Sequence, residues 1–436
     1  MLDIKFIRQN KDLIKDAAKK KRVNVDIGRF LELDQMRRML IQGYEEGLAK
    51  KNKASKTIAS TEAPEEKQKL ILEMRELDIS NDRLAEQLKP VDNEFYALLS
   101  KIPNIPMSDV PEGKDENENL TLREWGKKPE FDFEPKEHWQ LGEDLDVIDM
   151  VRGAKVSGAR FGFLKGKLAI LEFALVQYAL SVMTDKKILA RIIKENNLKV
   201  ETTPFIPIVP PVMIKPDVFN KMARLEPKEE RYYIPSDDLY LIGSAEHTLG
   251  SLHMDETFEE QDLPLRYVGF STAFRREAGT YGKDMKGILR VHQFDKVEME
   301  SFCLPEKSVE EQNFFVAIQE YLMKSLKIPY RAVMICTGDM GAPDARQIDI
   351  EAWLPGQGRY RETHTADLMT DYQARRLNTK VRRGGNSELV HMNDATVFAI
   401  GRTLVAILEN YQQKDGSVEI PKVLRDFCGF KKIEKK

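Results

Sequence analysis

The sequence has 436 residues, of which 42% are hydrophobic and 32% charged, and its formal net charge is −3. This length allows two or three domains, and the composition is typical of a soluble globular protein. We find no apolar run approaching the ~20 residues that a membrane span requires. The first residues lack the apolar core of a signal peptide and include three aspartates, which argues against a transit peptide, so we expect a cytoplasmic protein.

The amino-terminal part is more basic than the chain as a whole. Residues 1–60 contain 15 Lys and Arg against 8 Asp and Glu, including the run Lys19-Lys20-Lys21-Arg22. Such a cluster is usually a solvated helix face. The alternative is contact with nucleic-acid phosphates, because basic side chains that bind them release counterions. The pattern leaves both interpretations open.

Two helical stretches follow and predict an antiparallel hairpin within a domain of residues 1–100. The first spans about residues 29–59. The second, about 70–98, has apolar residues spaced alternately four and three apart, a heptad seam broken chemically by Asn81. Ser60 or Thr61 is expected to cap the second helix, Pro64 to lie in its first turn, and Pro90 to kink or end it. Helices that bury one stripe each predict a projecting coiled-coil arm.

Residues 101–146 are rich in proline, asparagine and acidic residues and predict a linker. From residue 147 onward, an apolar helix opens at Leu168. Short β-rich runs follow it, at Phe205–Met213, Arg231–Ile234, Leu239–Ile242, Leu265–Phe274, Ile288–Phe302, Tyr330–Ile335 and Gln347–Trp353. Because few helices separate these runs, we expect an α+β domain over residues 147–436, an antiparallel sheet flanked by helices rather than a doubly wound sheet.

Segment 270–300 is the richest in chemistry and reads as strand, long loop, strand. Its loop is flexible and cationic, with Gly279, Gly282, Lys283, Lys286 and Gly287. Alternation in the second strand places Phe294, Lys296 and Glu298 on one face, with roughly 13 Å between the aromatic ring and the carboxylate at ~3.3 Å per residue. That separation suits a ligand with a base at one end and an amine at the other. A solvated face with one stray aromatic explains the pattern equally well.

Common nucleotide signatures are absent from the sequence, since it contains neither GxxxxGK[ST] nor GxGxxG after a strand. Any ATP is therefore bound in another way. The three cysteines are isolated, so we predict neither a disulfide framework nor a zinc site.

The segment FRREAGTYGKDMKGILRVHQFDKVEM resembles motif 2 of the class II aminoacyl-tRNA synthetases in its seryl form. The stretch AIGRTLVAILENYQ (399–412) is similar to motif 3, and the prolines between 204 and 211 lie where motif 1 and its following strand belong. The opening MLDIKFIRQN and the helical hairpin are also like the seryl family. The resemblance covers nearly the whole chain, and a seryl-type motif 2 together with the arm is highly specific.

The resemblance implies ATP, Mg²⁺ and L-serine as ligands. It implies that Arg275 holds the α-phosphate and Arg402 the γ-phosphate, and that both are catalytic. The implied ATP-binding residues are Arg275, Arg276, Glu277, Phe294, Glu362, Thr363, His364, Thr365 and Arg402. The implied serine-binding residues are Ser244, Ala245, Glu246, Arg275, Glu298 and Thr396. The implied Mg²⁺ ligands are Glu362 and Thr365.

The implied reaction is the activation of serine to seryl-adenylate, followed by transfer to the 3′ end of tRNA(Ser), and of tRNA(Sec) where present. The resemblance also implies a homodimer, with no membrane partner. Residues 392–396 depart from the family pattern, because Asp394 replaces an asparagine, while Ser244 and Thr396 exchange the usual hydroxyls. Two alternatives are a relative that activates another small amino acid and a catalytically inactive RNA-binding protein.

Overall fold

The computed structural model describes residues 1–278 and 286–435. The chain divides into two compact units, Met1–Pro103 and Asn104–Lys436. The loop residues Gly279, Gly282 and Lys283, which the sequence singled out, lie outside the described residues.

The first unit is helical. Its helices are α1 (Ile4–Gln9), α2 (Lys11–Lys20), α3 (Ile27–Ser60) and α4 (Pro64–Lys101). Helices α1 and α3 begin after aspartates, because the carboxylates of Asp3 and Asp26 accept hydrogen bonds from the backbone N–H groups of Phe6 and Arg29.

Helices α3 and α4 pack along each other as the predicted hairpin. The rings of Phe30 and Phe95 stack with their centres 5.0 Å apart. Asn81 is buried in the seam, where a Cβ on Gly47 would lie only 1.9 Å from the Asn81 Oδ1 atom. Gly47 therefore lets the two helices approach each other at the polar position of the heptad pattern.

Two details of the predicted hairpin were wrong. Pro90 is exposed inside α4 and does not end it, so the boundary predicted there is wrong, whereas the kink predicted as its alternative stays a prediction. Ser60 and Thr61 finish α3 rather than cap α4, since both hydroxyls donate to the carbonyl of Thr57, at 3.0 and 2.8 Å. Pro64 lies in the first turn of α4, as predicted.

The second unit combines helices and strands. Its helices are α5 (His138–Asp144), α6 (Met150–Ser157), α7 (Gly166–Thr184), α8 (Lys186–Glu195), α9 (Pro216–Lys221), α10 (Glu246–Leu249), α11 (Ser308–Leu326), α12 (Tyr372–Leu377), α13 (Ile400–Asn410) and α14 (Arg425–Cys428). Its strands are β1 (Leu120–Trp125), β2 (Ile148–Asp149), β3 (Phe163–Leu164), β4 (Ile206–Ile208), β5 (Met213–Ile214), β6 (Tyr233–Ile234), β7 (Leu239–Leu241), β8 (Thr257–Glu259), β9 (Leu265–Phe274), β10 (Gln293–Cys303), β11 (Tyr330–Met334), β12 (Arg346–Leu354), β13 (Arg359–Thr370), β14 (Lys380–Arg383), β15 (Asn386–Leu389), β16 (His391–Ala399), β17 (Val418–Glu419) and β18 (Lys432–Ile433).

An eight-stranded sheet forms the centre of this unit, in the order β1-β11-β12-β13-β16-β10-β9-β4. Neighbouring strands are antiparallel except for β4, which runs parallel to β9. Helices α7, α11 and α13 pack against the sheet, and their apolar side chains contribute to its main hydrophobic core. The predicted α+β fold, an antiparallel sheet flanked by helices, is confirmed.

The segment 101–146 was predicted to be a linker, and this was wrong. Strand β1 lies within it and pairs with β11 at the edge of the sheet. The side chain of Asn104 donates to the carbonyls of Pro343 and Met369, at 2.9 and 2.8 Å. The loop-like composition of this segment reflects short connections that are bound to the second unit by hydrogen bonds.

The sequence also misjudged some strands. Strand β9 was predicted correctly, whereas β10 begins at Gln293 instead of Ile288, since residues 288–292 form turns and bends. The central strands β13 and β16 were missed.

Helix α7 is long and apolar enough to cross a membrane by length and composition alone, with a mean hydropathy of 1.4, although Glu172 and Gln177 interrupt its apolar residues. Leu168, Leu171 and Leu175 on this helix are fully buried in the core. Ile170 and Phe173 are 47% and 61% exposed. Packing against the sheet and α13 accounts for much of the apolar composition of α7.

Candidate functional site

A pocket of about 310 Å³ lies where β10, β13, β16 and the start of α13 meet the segment after β9. The sequence-predicted residues that line it are Glu246, Arg275, Glu277, Phe294, Glu362, Thr363, Thr365, Thr396 and Arg402. The sheet therefore brings together side chains from distant parts of the sequence.

One end of the pocket is cationic and aromatic. The guanidinium carbon of Arg275 lies 5.3 Å from the centre of the Phe294 ring, and its Nε donates to the carbonyl of Gly243 at 3.0 Å. Beside them, Arg290 Nη1 donates to Glu277 Oε2 at 2.9 Å. An aromatic ring next to guanidinium groups suits a planar base linked to phosphates.

A further arginine reaches this end from the first turn of α13. Arg402 Nη1 donates to Glu362 Oε1 at 2.8 Å, and the two side chains are 24% and 48% exposed. Burial raises the pKa of Glu362, but the charges of Arg402, Arg275 and Lys296 outweigh burial and lower that pKa below its ordinary value. Glu362 is therefore ionised at neutral pH and carries a charge that a cation can use.

A β-bulge decides which side chains of β13 face the pocket. The register between β12 and β13 shifts after Ile350, and both Glu362 and Thr363 line the pocket. His364 does not line it, because its ring is fully buried 5.8 Å from the ring of Phe398. Burial lowers the pKa of His364 to about 3, so the imidazole is neutral. The structure therefore places His364 in the core, away from its predicted ligand contact.

Arg276 and Ala245 also lie outside the lining, as do the buried residues Ser244 and Glu298. Arg276 is positioned over the ring of Tyr232, 5.6 Å from its centre, and its backbone N–H donates to the carbonyl of Glu230. Ala245 is buried at the start of α10, where its carbonyl accepts from the N–H of Leu249. Arg276 and Ala245 are each next to a pocket-lining residue in the sequence. A motif match alone cannot tell which of two neighbouring residues faces the pocket.

Buried polar groups lie beneath the other end of the pocket. Ser244 Oγ donates to Glu298 Oε1 at 2.9 Å and accepts from Lys296 Nζ at 3.3 Å, and Lys296 also pairs directly with Glu298. Burial raises the pKa of Glu298, as does Glu246, although Lys296 and Ser244 act against them. Thr396 is the cross-strand neighbour of Glu298. Hydroxyl groups therefore come from both the segment before α10 and strand β16.

Sequence reasoning missed a buried ionic network at this end. Arg224, which follows α9, lies 3.0 Å from Glu246, 3.2 Å from Asp344, 3.3 Å from Asp367 and 3.5 Å from Asp394, measured between nitrogen and oxygen atoms. Burial raises the pKa of Asp367 and of Asp394 well above the ordinary value. Burial also acts to raise the pKa of Glu246, but Arg224 and other cations lower it overall. The sequence had pointed to two members of this network, Glu246 through its motif and Asp394 through its departure from the family pattern.

Sequence reasoning also missed the support behind segment 286–291, part of which lines the pocket. His138 Nε2 accepts from the backbone N–H of Ile288 at 3.3 Å, and its Nδ1–H donates to Glu409 Oε1 at 3.3 Å. His138 and Glu409 are 1% and 0% exposed. Gly287 has a φ of +69°, and a Cβ there would lie 2.2 Å from His138 Nε2. This buried pair fixes the backbone beside the pocket.

Comparisons with known proteins agree with this arrangement. The family described as seryl-tRNA synthetase N-terminal domain matches residues 1–106, and the tRNA synthetase class II core domain (G, H, P, S and T) matches residues 231–411. A serine–tRNA ligase from Thermodesulfovibrio yellowstonii is 41% identical over 98% of this chain and 99% of its own length. Seryl-tRNA synthetase from Pyrococcus horikoshii complexed with ATP is 38% identical, with a TM-score of 0.86 and full coverage of both chains. Cytoplasmic serine-tRNA ligase from Naegleria fowleri in complex with AMP is 30% identical, with a TM-score of 0.81, and covers 100% of this chain and 99% of its own.

Proposed function

The chain belongs to the seryl-tRNA synthetase family, and we propose that its pocket binds ATP at the cationic end and L-serine at the buried end. The enzyme activates serine with ATP and transfers the seryl group to tRNA. The observation that carries the assignment of the site is a single pocket with arginines and an aromatic ring at one end and carboxyls and hydroxyls at the other.

At the ATP end, Phe294 would stack under the adenine, and Glu277 would accept a hydrogen bond from its amino group. Arg275 lies beside the Phe294 ring and is therefore placed to reach the α-phosphate of a nucleotide stacked there. Arg402, at the start of α13, would bind the γ-phosphate. Guanidinium groups suit these contacts because they are permanently charged and can bind phosphate oxygens in pairs.

At the serine end, carboxyls and hydroxyls would hold the amino acid. Glu246 has a lowered pKa, with Arg224, Lys296 and Arg275 opposing the effect of burial, so it is ionised and suits the α-ammonium group. Thr396 lines the pocket and would contact the amino acid, with Glu298 as its buried cross-strand neighbour. Ser244 supports them through its hydrogen bond to Glu298.

Magnesium fits this site as an ion that arrives with ATP. Glu362 and Thr365 line the pocket and offer the hard oxygen ligands that Mg²⁺ prefers. In the part of the chain that the structure describes, no group of three or more His, Cys, Asp or Glu is arranged to hold a metal ion by itself. Phosphate oxygens and water would complete the coordination, and the ion would neutralise phosphate charge.

The residues act by position and charge, because neither step needs a nucleophile from the protein. The serine carboxylate attacks the α-phosphorus of ATP, a new oxygen–phosphorus bond forms and pyrophosphate leaves. The terminal ribose hydroxyl of tRNA then attacks the acyl carbon, and AMP leaves. Arg275 and Arg402 neutralise the charge that develops on the phosphates, and the buried carboxyls hold the amino acid in line for attack.

Amino-acid-dependent ATP–pyrophosphate exchange tests this proposal. We expect exchange with serine and much weaker exchange with glycine, alanine and threonine. Exchange with another amino acid but not with serine would contradict the serine assignment, and no exchange with any amino acid would contradict the assignment of the pocket.

We propose that the hairpin of α3 and α4 binds tRNA(Ser), and tRNA(Sec) where present, while residues 104–436 carry out catalysis. The excess of basic residues in 1–60 supports contact with phosphates. Deleting about residues 30–98 should preserve serine-dependent exchange and abolish aminoacylation. Equal loss of both activities would contradict this division of roles. A cytoplasmic location is part of the proposal, since the substrates of translation are found there.

We also propose a homodimer. Apolar side chains at Ile170, Phe173 and Val209 are 47%, 61% and 85% exposed in a single copy of the chain, which supports a protein interface at α7 and the segment after β4. Light scattering should give twice the mass of one chain, and Phe173→Glu should lower it. A monomeric mass for the unaltered protein would contradict the proposal.

A further inference from the structure

The buried floor of the serine end holds more acidic side chains than cations. Strands β13, β16 and β10 place Asp367, Asp394 and Glu300 directly beside one another, because Asp394 is the register partner of both other residues. Burial raises the pKa of all three carboxyl groups well above the ordinary value, and repulsion from neighbouring acids adds to this effect. All three residues are buried.

Arg224 is the cation that this row contacts. Its Nη2 atom lies 3.3 Å from Asp367 Oδ2 and 3.5 Å from Asp394 Oδ2, and its Nε lies 3.0 Å from Glu246 Oε1. The side chain is 16% exposed and lines the pocket. One guanidinium group therefore links the residue proposed for the α-ammonium group to the acidic row.

Several oxygen atoms of the row still need a donor. Among the described residues, Asp394 Oδ1 and both carboxyl oxygens of Glu300 are buried without a hydrogen-bond partner. Asp394 and Glu300 are 1% and 0% exposed and lie behind the pocket lining, to which Arg224 and Asp367 contribute. A buried acceptor without a donor costs free energy, and a ligand that supplies the donor recovers it.

We propose that Arg224, Asp367 and Asp394 form the specificity-determining floor of the amino-acid pocket, where a carboxylate positioned by Arg224 accepts a hydrogen bond from the side-chain hydroxyl of serine. The proposal rests on the function proposed above and identifies how serine is chosen. Arg224 is a positioning residue, and its bulk at the floor excludes longer side chains. Alanine and glycine bring no donor, and their binding leaves the acceptor unsatisfied, which is a strong basis for rejection.

The test measures kcat/KM in pyrophosphate exchange for serine, alanine, glycine, threonine and 2,3-diaminopropionate, with the full chain and the variants Asp394→Asn, Asp367→Asn and Arg224→Met. We expect the ratio of kcat/KM for serine to that for alanine to fall at least tenfold in each variant, because the KM for serine rises. The KM for ATP should change less than twofold. The asparagine variants keep the shape of the floor and are informative even if Arg224→Met does not fold.

Arg266→Met is the matched control. Arg266 is also a buried arginine, paired with Glu311 at 2.6 Å, but it does not line the pocket. This variant should lower the melting temperature and leave the serine-to-alanine preference unchanged.

An unchanged preference in both asparagine variants would overturn the proposal, as would better exchange with diaminopropionate than with serine in the unaltered enzyme. If the proposed function itself were wrong, the unaltered enzyme would show no serine-dependent exchange. Serine-dependent exchange in the unaltered enzyme therefore distinguishes a failure of this inference from a failure of the proposed function.

Discussion

The two ends of the pocket hold charge in opposite ways. At the ATP end, Arg402 and Glu362 are 24% and 48% exposed and pair with each other across the surface. At the serine end, Arg224 is 16% exposed, and Asp344 and Asp394 beside it are almost fully buried. Charges near water cost little and can change partners, whereas buried charges must be paired or neutralised. Substitutions at the ATP end should therefore change catalysis with little effect on stability, whereas those at the serine end should change stability more.

The largest expected effect is that of Arg402→Ala on serine activation. Loss of one guanidinium at a developing phosphate charge should reduce exchange by about 10²–10³-fold, while the melting temperature stays nearly the same. Exchange assays and thermal unfolding measure the two effects. Near-normal exchange would remove the γ-phosphate role, and a large fall in melting temperature would contradict the contrast between the two ends.

The second prediction concerns stability against pH and has opposite signs at the two ends. Burial raises the pKa of Asp394, so ionising this carboxyl group lowers the free energy of unfolding. This destabilisation is absent below the pKa of the unfolded state and grows as the pH rises above it. Asp394→Asn should therefore raise the free energy of unfolding by about 1–3 kcal/mol at pH 8 and have much less effect near pH 4.

Glu362→Gln is the matched variant at the ATP end. The pKa of Glu362 is lowered, because the charges of Arg402, Arg275 and Lys296 outweigh the effect of burial. The ionised carboxylate therefore stabilises the folded protein above the pKa of the unfolded state, and this stabilisation is lost as the pH falls. This variant should lower the free energy of unfolding by up to about 1 kcal/mol at pH 8 and by less in acid. Urea unfolding at several pH values measures the free energy of unfolding of both variants. A change of the same sign in the two variants at pH 8 would refute the predicted contrast between the two ends.

Phe294→Leu should have a smaller effect. It removes the aromatic face beside Arg275 and keeps an apolar side chain, so the KM for ATP should rise about 5–10-fold, with the KM for serine nearly unchanged. Steady-state exchange kinetics check this prediction. A rise confined to the KM for serine would place the adenine elsewhere.

The smallest expected effect is that of His364→Asn on ATP binding. The imidazole is buried against Phe398, and its pKa of about 3 keeps it neutral at working pH. The KM for ATP should change by less than about twofold, whereas the melting temperature should fall because a buried ring is lost. A large change in the KM for ATP alone would restore the sequence-based assignment of His364.

The sequence pattern singled out the residues proposed to bind ATP more directly than the acids around Arg224. Arg275, Glu277, Phe294 and Arg402 lie in short continuous motifs, so a local pattern is enough to single them out. The acids around Arg224 come from separate strands and loops, and their spacing along the chain carries no regular signal. The pattern also does not separate motif neighbours, and a bulge in β13 turns His364 into the core while Glu362 and Thr363 line the pocket.

By itself, the sequence determined the helical hairpin, the α+β class and the residues of the motifs, because helix periodicity, strand alternation and motif spacing are local properties of the chain. Only the tertiary structure decided that residues 104–146 join the second unit, that His138 and Glu409 support segment 286–291, and that Arg224 gathers four carboxylates under the pocket. These features depend on the register of neighbouring strands and on which groups are buried together, and both are set when the sheet closes around its core.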